Sequence, residues 1–176
     1  MKIISFVGWS KSGKTAIIEW LVRELKRREL RVVVVKHIHK PIFEVDRKGK
    51  DTWRLFNAGA DAVMGVSSRR FYLLSRTQNT LPLEKLCEVL EWIYNKVDFI
   101  LIEGRIPSKH RRPPVVLIVR EDREIEEFEK LKEQIVAVVY WEDSVDRKRI
   151  ARAFKGKYII SVKQKEQLLE LLLNLR

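Results

Sequence analysis

Lys2–Thr15 reads KIISFVGWSKSGKT. An apolar run headed by one lysine and stopped abruptly by Gly8 predicts a buried strand feeding a loop. From Lys14 onward Ile17, Ile18, Leu21, Val22 and Leu25 recur at helical spacing, so the loop opens an amphipathic helix. Between the two, Gly8–Thr15 (GWSKSGKT) fits G-x-x-x-x-G-K-[ST] in the strand-to-helix context that pattern requires. Backbone amides of Ser10–Thr15 are expected to wrap phosphates at the positive end of the helix. Gly13 lets the main chain approach closely, Lys14 reaches the outer phosphates, and the Thr15 hydroxyl sits on Mg²⁺. The expected phosphate-binding set is therefore Gly8, Trp9, Ser10, Lys11, Ser12, Gly13, Lys14, Thr15 and Ala16.

Outward from this loop the pattern stays α/β. Arg31–Lys36 (RVVVVK) is a β-branched run of the kind expected for a parallel strand covered on both faces. Strand, loop, helix and strand in this order make a βαβ unit. A long polar segment, His37–Lys50, precedes a short helix at Asp51–Ala58. Asp61–Val66 and Arg69–Ser75 read as two strands joined by a tight turn at Ser67–Ser68. Leu83–Lys96 is amphipathic, and Asp98–Ile102 (DFILI) is a buried strand stopping at Glu103–Gly104. Ile106–Pro114 is basic and Pro-rich, the best candidate for a mobile loop. Val115–Val119 and Ile135–Tyr140 are strands flanking a charged helix. A helix at Val145–Ala153, a short strand near Tyr158–Ile160 and a helix from Lys165 complete the chain. The expectation is one domain over 1–176, a three-layer phosphate-loop α/β fold with a mostly parallel sheet and an added β-hairpin.

Composition narrows the function classes. Hydrophobic residues make up 45% and charged ones 34%, which excludes a disordered chain. No apolar run approaches the about 20 residues of a membrane-spanning helix. The opening segment reads as a first strand and not as a signal peptide. The single Cys87 cannot form an internal disulfide and falls in an apolar helical pattern, so a buried thiol in a cytoplasmic protein is expected. A net charge of +12 favours polyanionic partners such as nucleotides, nucleic acid or an acidic protein surface. Much of that charge is spread along helix faces, as in Arg23, Lys26, Arg27 and Arg28, which is the pattern of a solvated surface.

A phosphate loop needs a carboxylate at the end of a neighbouring strand to hold the metal or orient water, and Glu103 stands there. Lys14 and Glu103 are the expected catalytic pair. Asp46, Lys50 and Asp51 offer a metal or water ligand, a phosphate cation and a helix N-terminal acid, so Thr15, Asp46 and Glu103 form the expected metal set. His37 and His39 would face one way in an extended chain, but no Cys or third His stands nearby to complete a zinc site. Asn95–Asp98 (NKVD) matches a guanine-reading pattern, yet it closes a helix and precedes a strand, which places it at the edge away from the loop. Asp143, just after the Ile135–Tyr140 strand, is the candidate to bind the N–H groups of a base.

Several of these motifs occur together in one order: the loop with Trp9–Ser10, Lys36–His37 and His39, Asp46, Gly49–Thr52, Ala58–Ala60 and Ile102–Gly104. In that combination the chain resembles the molybdopterin-guanine dinucleotide biosynthesis adaptor family (protein B), departing from its pattern at Lys40, Pro41 and Lys48. The resemblance implies a GTP-binding protein with weak intrinsic hydrolysis, often a homodimer. It implies a nucleotidyltransferase partner that joins GMP to molybdopterin. No arginine finger in cis is legible, which predicts slow or partner-dependent hydrolysis. Two other readings compete. A small-molecule kinase would use Arg105, Lys109, Arg111 and Arg112 as a lid over the phosphates. A nucleic-acid-binding protein would use the positive charge, though no nucleic-acid fold signature accompanies it.

Overall fold

The computed structural model describes residues 1–38 and 46–175. Contacts divide the chain into two compact units, one formed by Met1–His37 with 82–176 and the other by Ile38–Leu81. The larger unit holds a six-stranded parallel sheet in the order β2-β5-β1-β6-β7-β8. Its strands are β1 (Lys2–Val7), β2 (Val32–Lys36), β5 (Phe99–Glu103), β6 (Val115–Val119), β7 (Ile135–Tyr140) and β8 (Tyr158–Ser161). Strands β3 (Ala62–Val66) and β4 (Phe71–Ser75) form an antiparallel hairpin in the smaller unit, together with helix α2 (Asp51–Asn57). The mostly parallel fold with an added hairpin is thus borne out.

Period-two alternation sorts the sheet into two buried faces. Ile4, Phe6, Leu101, Val116, Ile118, Ala137, Val139 and Ile160 face one side, against Ile17, Leu21 and Leu25 of α1 (Lys14–Arg27) and Leu168 and Leu172 of α6 (Lys165–Asn174). The other face packs in two patches. Ile3, Ile100 and Ile102 meet Leu83 and Cys87 of α3 (Leu83–Ile93). Val7, Leu117, Val119 and Val138 meet Ile125 and Phe128 of α4 (Glu124–Phe128) and Ile150 of α5 (Arg147–Ala153). Helices therefore cover both faces, giving three layers. Each fully buried apolar side chain in them contributes about 1.5–3 kcal/mol, which is what holds the strand ends in place. Cys87 is buried, and desolvation pushes its thiol above the usual range.

The Arg31–Lys36 run differs from expectation. It forms the edge strand β2, and Val34 remains 46% exposed. A β-branched run shows that a strand forms but not how many neighbours it has, and among the described residues β2 pairs only with β5. The hairpin turn also sits later than Ser67–Ser68: it closes Ser67 to Arg70 through a backbone bond of 2.8 Å.

The basic stretch after β5 is the second difference. Gly104–Pro114 connects β5 to β6 without a helix, returning to the opposite edge of the sheet on the α3 side. Ile106 packs on the α3 patch and the Leu83 N–H donates to Pro107 at 2.8 Å. The Glu84 carboxylate accepts from the Ser108 hydroxyl at 2.5 Å and from the His110 N–H at 3.1 Å. The segment expected to be mobile is anchored.

Candidate functional site

Three strand ends build the site. Parallel register sets Phe6 of β1 beside Glu103 of β5, and Lys36 of β2 beside Glu103 from the other side. The Gly104 N–H donates to Phe6 at 2.9 Å and the His37 N–H to Glu103 at 2.9 Å, so the turn after β5 is tied to both neighbours. Glu103 consequently projects at the C-terminal edge, where β1 gives way to the glycine-rich turn.

That turn is shaped by close approaches. A Cβ on Gly8 would lie 2.3 Å from the Ile118 carbonyl oxygen, and one on Gly13 would lie 2.8 Å from the Trp141 ring. Gly13 has φ +98°, and Lys11 takes the left-handed region at φ +63° without being glycine. Gly13 is the N-cap of α1, and among the described residues no side chain caps the helix and no acid occupies its first turn. The first amides of α1 therefore lack intrahelical partners at the positive end of a 14-residue helix. Ser12 is buried, while Ser10, Lys11, Thr15 and Ala16 line the exposed side.

Lys14 folds back over the loop. Its Nζ lies 2.9 Å from the Gly8 carbonyl, 2.5 Å from the Trp9 carbonyl and 3.4 Å from Ser12 Oγ. Burial lowers its pKa, an effect partly opposed by the carboxylates of Glu103 and Glu124. Thr15 Oγ1 lies 3.1 Å from each Glu103 carboxylate oxygen, and Lys36 Nζ lies 3.2 Å from one of them. The Glu103 side chain is only 13% exposed. A hydroxyl and a carboxylate converging at a helix N-terminus fit a hydrated Mg²⁺ shared with phosphate oxygens. They do not fit an all-protein cage, and among the described residues no group of three or more His, Cys, Asp or Glu is placed to hold a metal ion.

The other expected residues are placed as follows. Asp143 is 88% exposed after β7, and Lys163 lies 3.9 Å from it while pairing with Glu142 at 2.9 Å. Asp46 and Lys50 belong to the smaller unit. There Asp46 accepts from the Arg47 N–H at 2.8 Å and from the Thr52 hydroxyl, and Lys50 is the N-cap residue of α2. His39, Lys40 and Pro41 lie outside the described residues. Asp98 is at the start of β5, bonded to the Arg31 N–H at 2.8 Å and paired with Lys96 at 3.0 Å, so the NKVD stretch is at the edge opposite the loop. Arg111 and Arg112 line a cleft with Met1–Ile4 and Leu175 at that same opposite edge, and Arg105 reaches Gln134 at 3.4 Å. Those arginines form no lid over the glycine-rich turn, because the β5–β6 connection carries them down the sheet.

A second set of residues braces the turn from outside, and apart from Trp9 its members were not anticipated from sequence. Trp141 Nε1 donates to the Ser12 carbonyl at 2.9 Å, and the Arg120 guanidinium donates to the Lys11 carbonyl at 3.1 Å. Arg120 also stacks over the Trp141 ring at 5.0 Å. Trp9 Nε1 donates to Glu127 at 2.7 Å, with Arg123 over its ring at 4.9 Å. Glu124 is 2% exposed, accepts from the Arg120 N–H at 3.4 Å, and desolvation raises its pKa. The signal for Arg120 and Trp141 was faint: one arginine directly after β6 and one tryptophan directly after β7, strands whose ends reach the loop through the strand order.

Residues 3–141 match the family described as molybdopterin guanine dinucleotide synthesis protein B. The molybdopterin-guanine dinucleotide biosynthesis adapter protein of Haemophilus influenzae is 32% identical over 120 residues, covering 68% of this chain and 64% of that protein. A putative adapter protein of the same description from Methanocaldococcus jannaschii is 36% identical over 125 residues, covering 69% of this chain and 49% of that protein. The alignments thus span about half to two thirds of these relatives. In fold, the crystal structure of MobB from Bacillus subtilis superposes with a TM-score of 0.73 at 24% identity, covering 98% of this chain and 96% of that one.

Proposed function

The chain belongs to the molybdopterin guanine dinucleotide synthesis protein B family, and from that premise we propose that it is a GTP-binding adaptor in molybdopterin guanine dinucleotide biosynthesis. In this reading it hydrolyses GTP slowly and assists a nucleotidyltransferase that joins GMP to molybdopterin. The observation that carries it is the meeting of Thr15 and Glu103 at 3.1 Å beside the uncapped N-terminus of α1.

The residues divide the work. Amides of the turn and of the first helical residues receive the phosphate oxygens, and Lys14 leaves its own loop carbonyls to neutralise the outer phosphates. Mg²⁺ supplies charge neutralisation of the phosphate chain, with Thr15 and Glu103 as the residues that would hold it. Glu103 also stands within reach to orient a water through hydrogen bonding. No arginine projects over the turn from the β5–β6 connection, which fits a slow intrinsic rate and a partner that completes the site. Asp143 remains the candidate for the N–H groups of guanine, and Asp46 and Lys50 remain candidates on the smaller unit. Among the described residues no helix is long and apolar enough to cross a membrane.

Titration of the purified protein with GTP and ATP, with and without Mg²⁺, tests the proposal. Expected is Mg²⁺-dependent binding that prefers GTP and is lost in Lys14→Ala. Equal affinity for the two nucleotides would remove the adaptor reading, and absence of binding by both would remove the phosphate site itself.

A further inference from the structure

We propose that Trp141 and Arg120 form the platform on which the nucleobase of the bound triphosphate stacks, and that the same two side chains couple base binding to the shape of the phosphate loop. The inference rests on the phosphate-site reading and deepens it. Sheet order gives the direction of the ligand. The metal-side residues, Thr15 and Glu103, meet where β5 lies on one flank of β1. β6 lies on the other flank, with β7 beyond it. The metal and Lys14 mark the outer phosphates, so the nucleoside end extends toward the opposite flank.

On that flank the chain offers an aromatic ring and a guanidinium. Trp141 follows β7 and is half-buried, while Arg120 follows β6, is exposed and stacks on the ring at 5.0 Å. The ring edge packs against Gly13, closely enough that a Cβ there would come within 2.8 Å. Gly13 begins the helix whose first amides receive the phosphate nearest the nucleoside. A planar base leaving that phosphate meets a π surface and a planar cation, which stack on any nucleobase. The platform thus takes a nucleoside triphosphate without choosing among bases. Its two hydrogen bonds hold the backbone carbonyls of Ser12 and Lys11. A base that orders the platform therefore orders the phosphate loop.

Affinities for GTP, ATP and inorganic tripolyphosphate, each with Mg²⁺, separate the terms in wild type, Trp141→Phe and Trp141→Leu. Tripolyphosphate reports the loop alone and serves as the check on folding. In wild type both nucleotides should bind more tightly than tripolyphosphate. Trp141→Leu should weaken both by about tenfold more than it weakens tripolyphosphate, the scale of one lost base stack. Trp141→Phe keeps a ring but loses the bond to Ser12, so it should retain that nucleotide advantage to within about threefold. Arg120→Gln should reduce the advantage in the same direction. Equal losses for nucleotides and tripolyphosphate in Trp141→Leu, or equal damage from Phe and Leu, would overturn the platform while leaving the phosphate site standing. If wild type binds none of the three, both readings fall together.

Discussion

Lys14 is held by carbonyls of its own loop, and this sets how its charge responds to pH. Desolvation favours the neutral amine, so its pKa lies below that of an ordinary lysine. A triphosphate favours the ammonium, so binding raises that pKa again. As pH rises through the lowered value, free protein loses the proton that the complex keeps. Nucleotide affinity should then fall with rising pH earlier than an exposed lysine would dictate, with proton uptake on binding in that window. Calorimetric titration of GTP in alkaline buffers of differing ionisation enthalpy measures the uptake. A flat affinity across that range would show that Lys14 does not neutralise the phosphates. Glu103 acts through placement: the register with Phe6 and Lys36 brings its carboxylate to Thr15.

The β5–β6 connection shows how one carboxylate governs an entire element. Glu84, at the start of α3, is held down to a pKa of about 2 by the Ser108 hydroxyl, its own N–H and the N–H of His110, with a smaller contribution from Lys109. A carboxylate with a depressed pKa contributes stability that is present above its unfolded value and is lost as pH falls through the folded one. The anchor's contribution is therefore complete at neutral pH, declines once pH falls below the ordinary glutamate value of 4.5 and is gone near pH about 2. Glu84→Ala should release 105–114 at neutral pH. Limited trypsin digestion should cut the variant after Lys109 or Arg111 several-fold faster than wild type, while nucleotide affinity stays unchanged because this segment's basic end lies at the opposite edge of the sheet. Unchanged cleavage would mean that Pro107 and Ile106 hold the loop without Glu84. The outer brace is the other element with consequences: Arg120 and Trp141 bind the glycine-rich turn to the ends of β6 and β7, and Trp9 binds it to α4.

At the scale of the molecule, the smaller unit presents an uncovered apolar face. Met64 and Val66 on β3 pair across the hairpin with Leu73 and Phe71 on β4, and these four are 49–75% exposed. Contiguous apolar surface of this kind favours association, in line with the homodimer that the family resemblance implies. Light scattering across a concentration series should give twice the chain mass for wild type. Met64→Lys combined with Leu73→Glu should give a single chain mass with the thermal unfolding of the larger unit unchanged. A monomeric wild type, or a variant that remains dimeric, would assign that face no part in assembly. The βαβ start, the two-faced core and the pairing of a lysine, a threonine and a distant glutamate were legible from Met1 to Gly104, because hydrophobic period and glycine placement are local properties that the chain carries in its own order. The edge position of β2, the descent of the basic loop away from the phosphates and the bracing by Trp141 and Arg120 were not. Each depends on which strands become neighbours, and strand order is settled by packing between segments far apart in the chain, which no local pattern encodes.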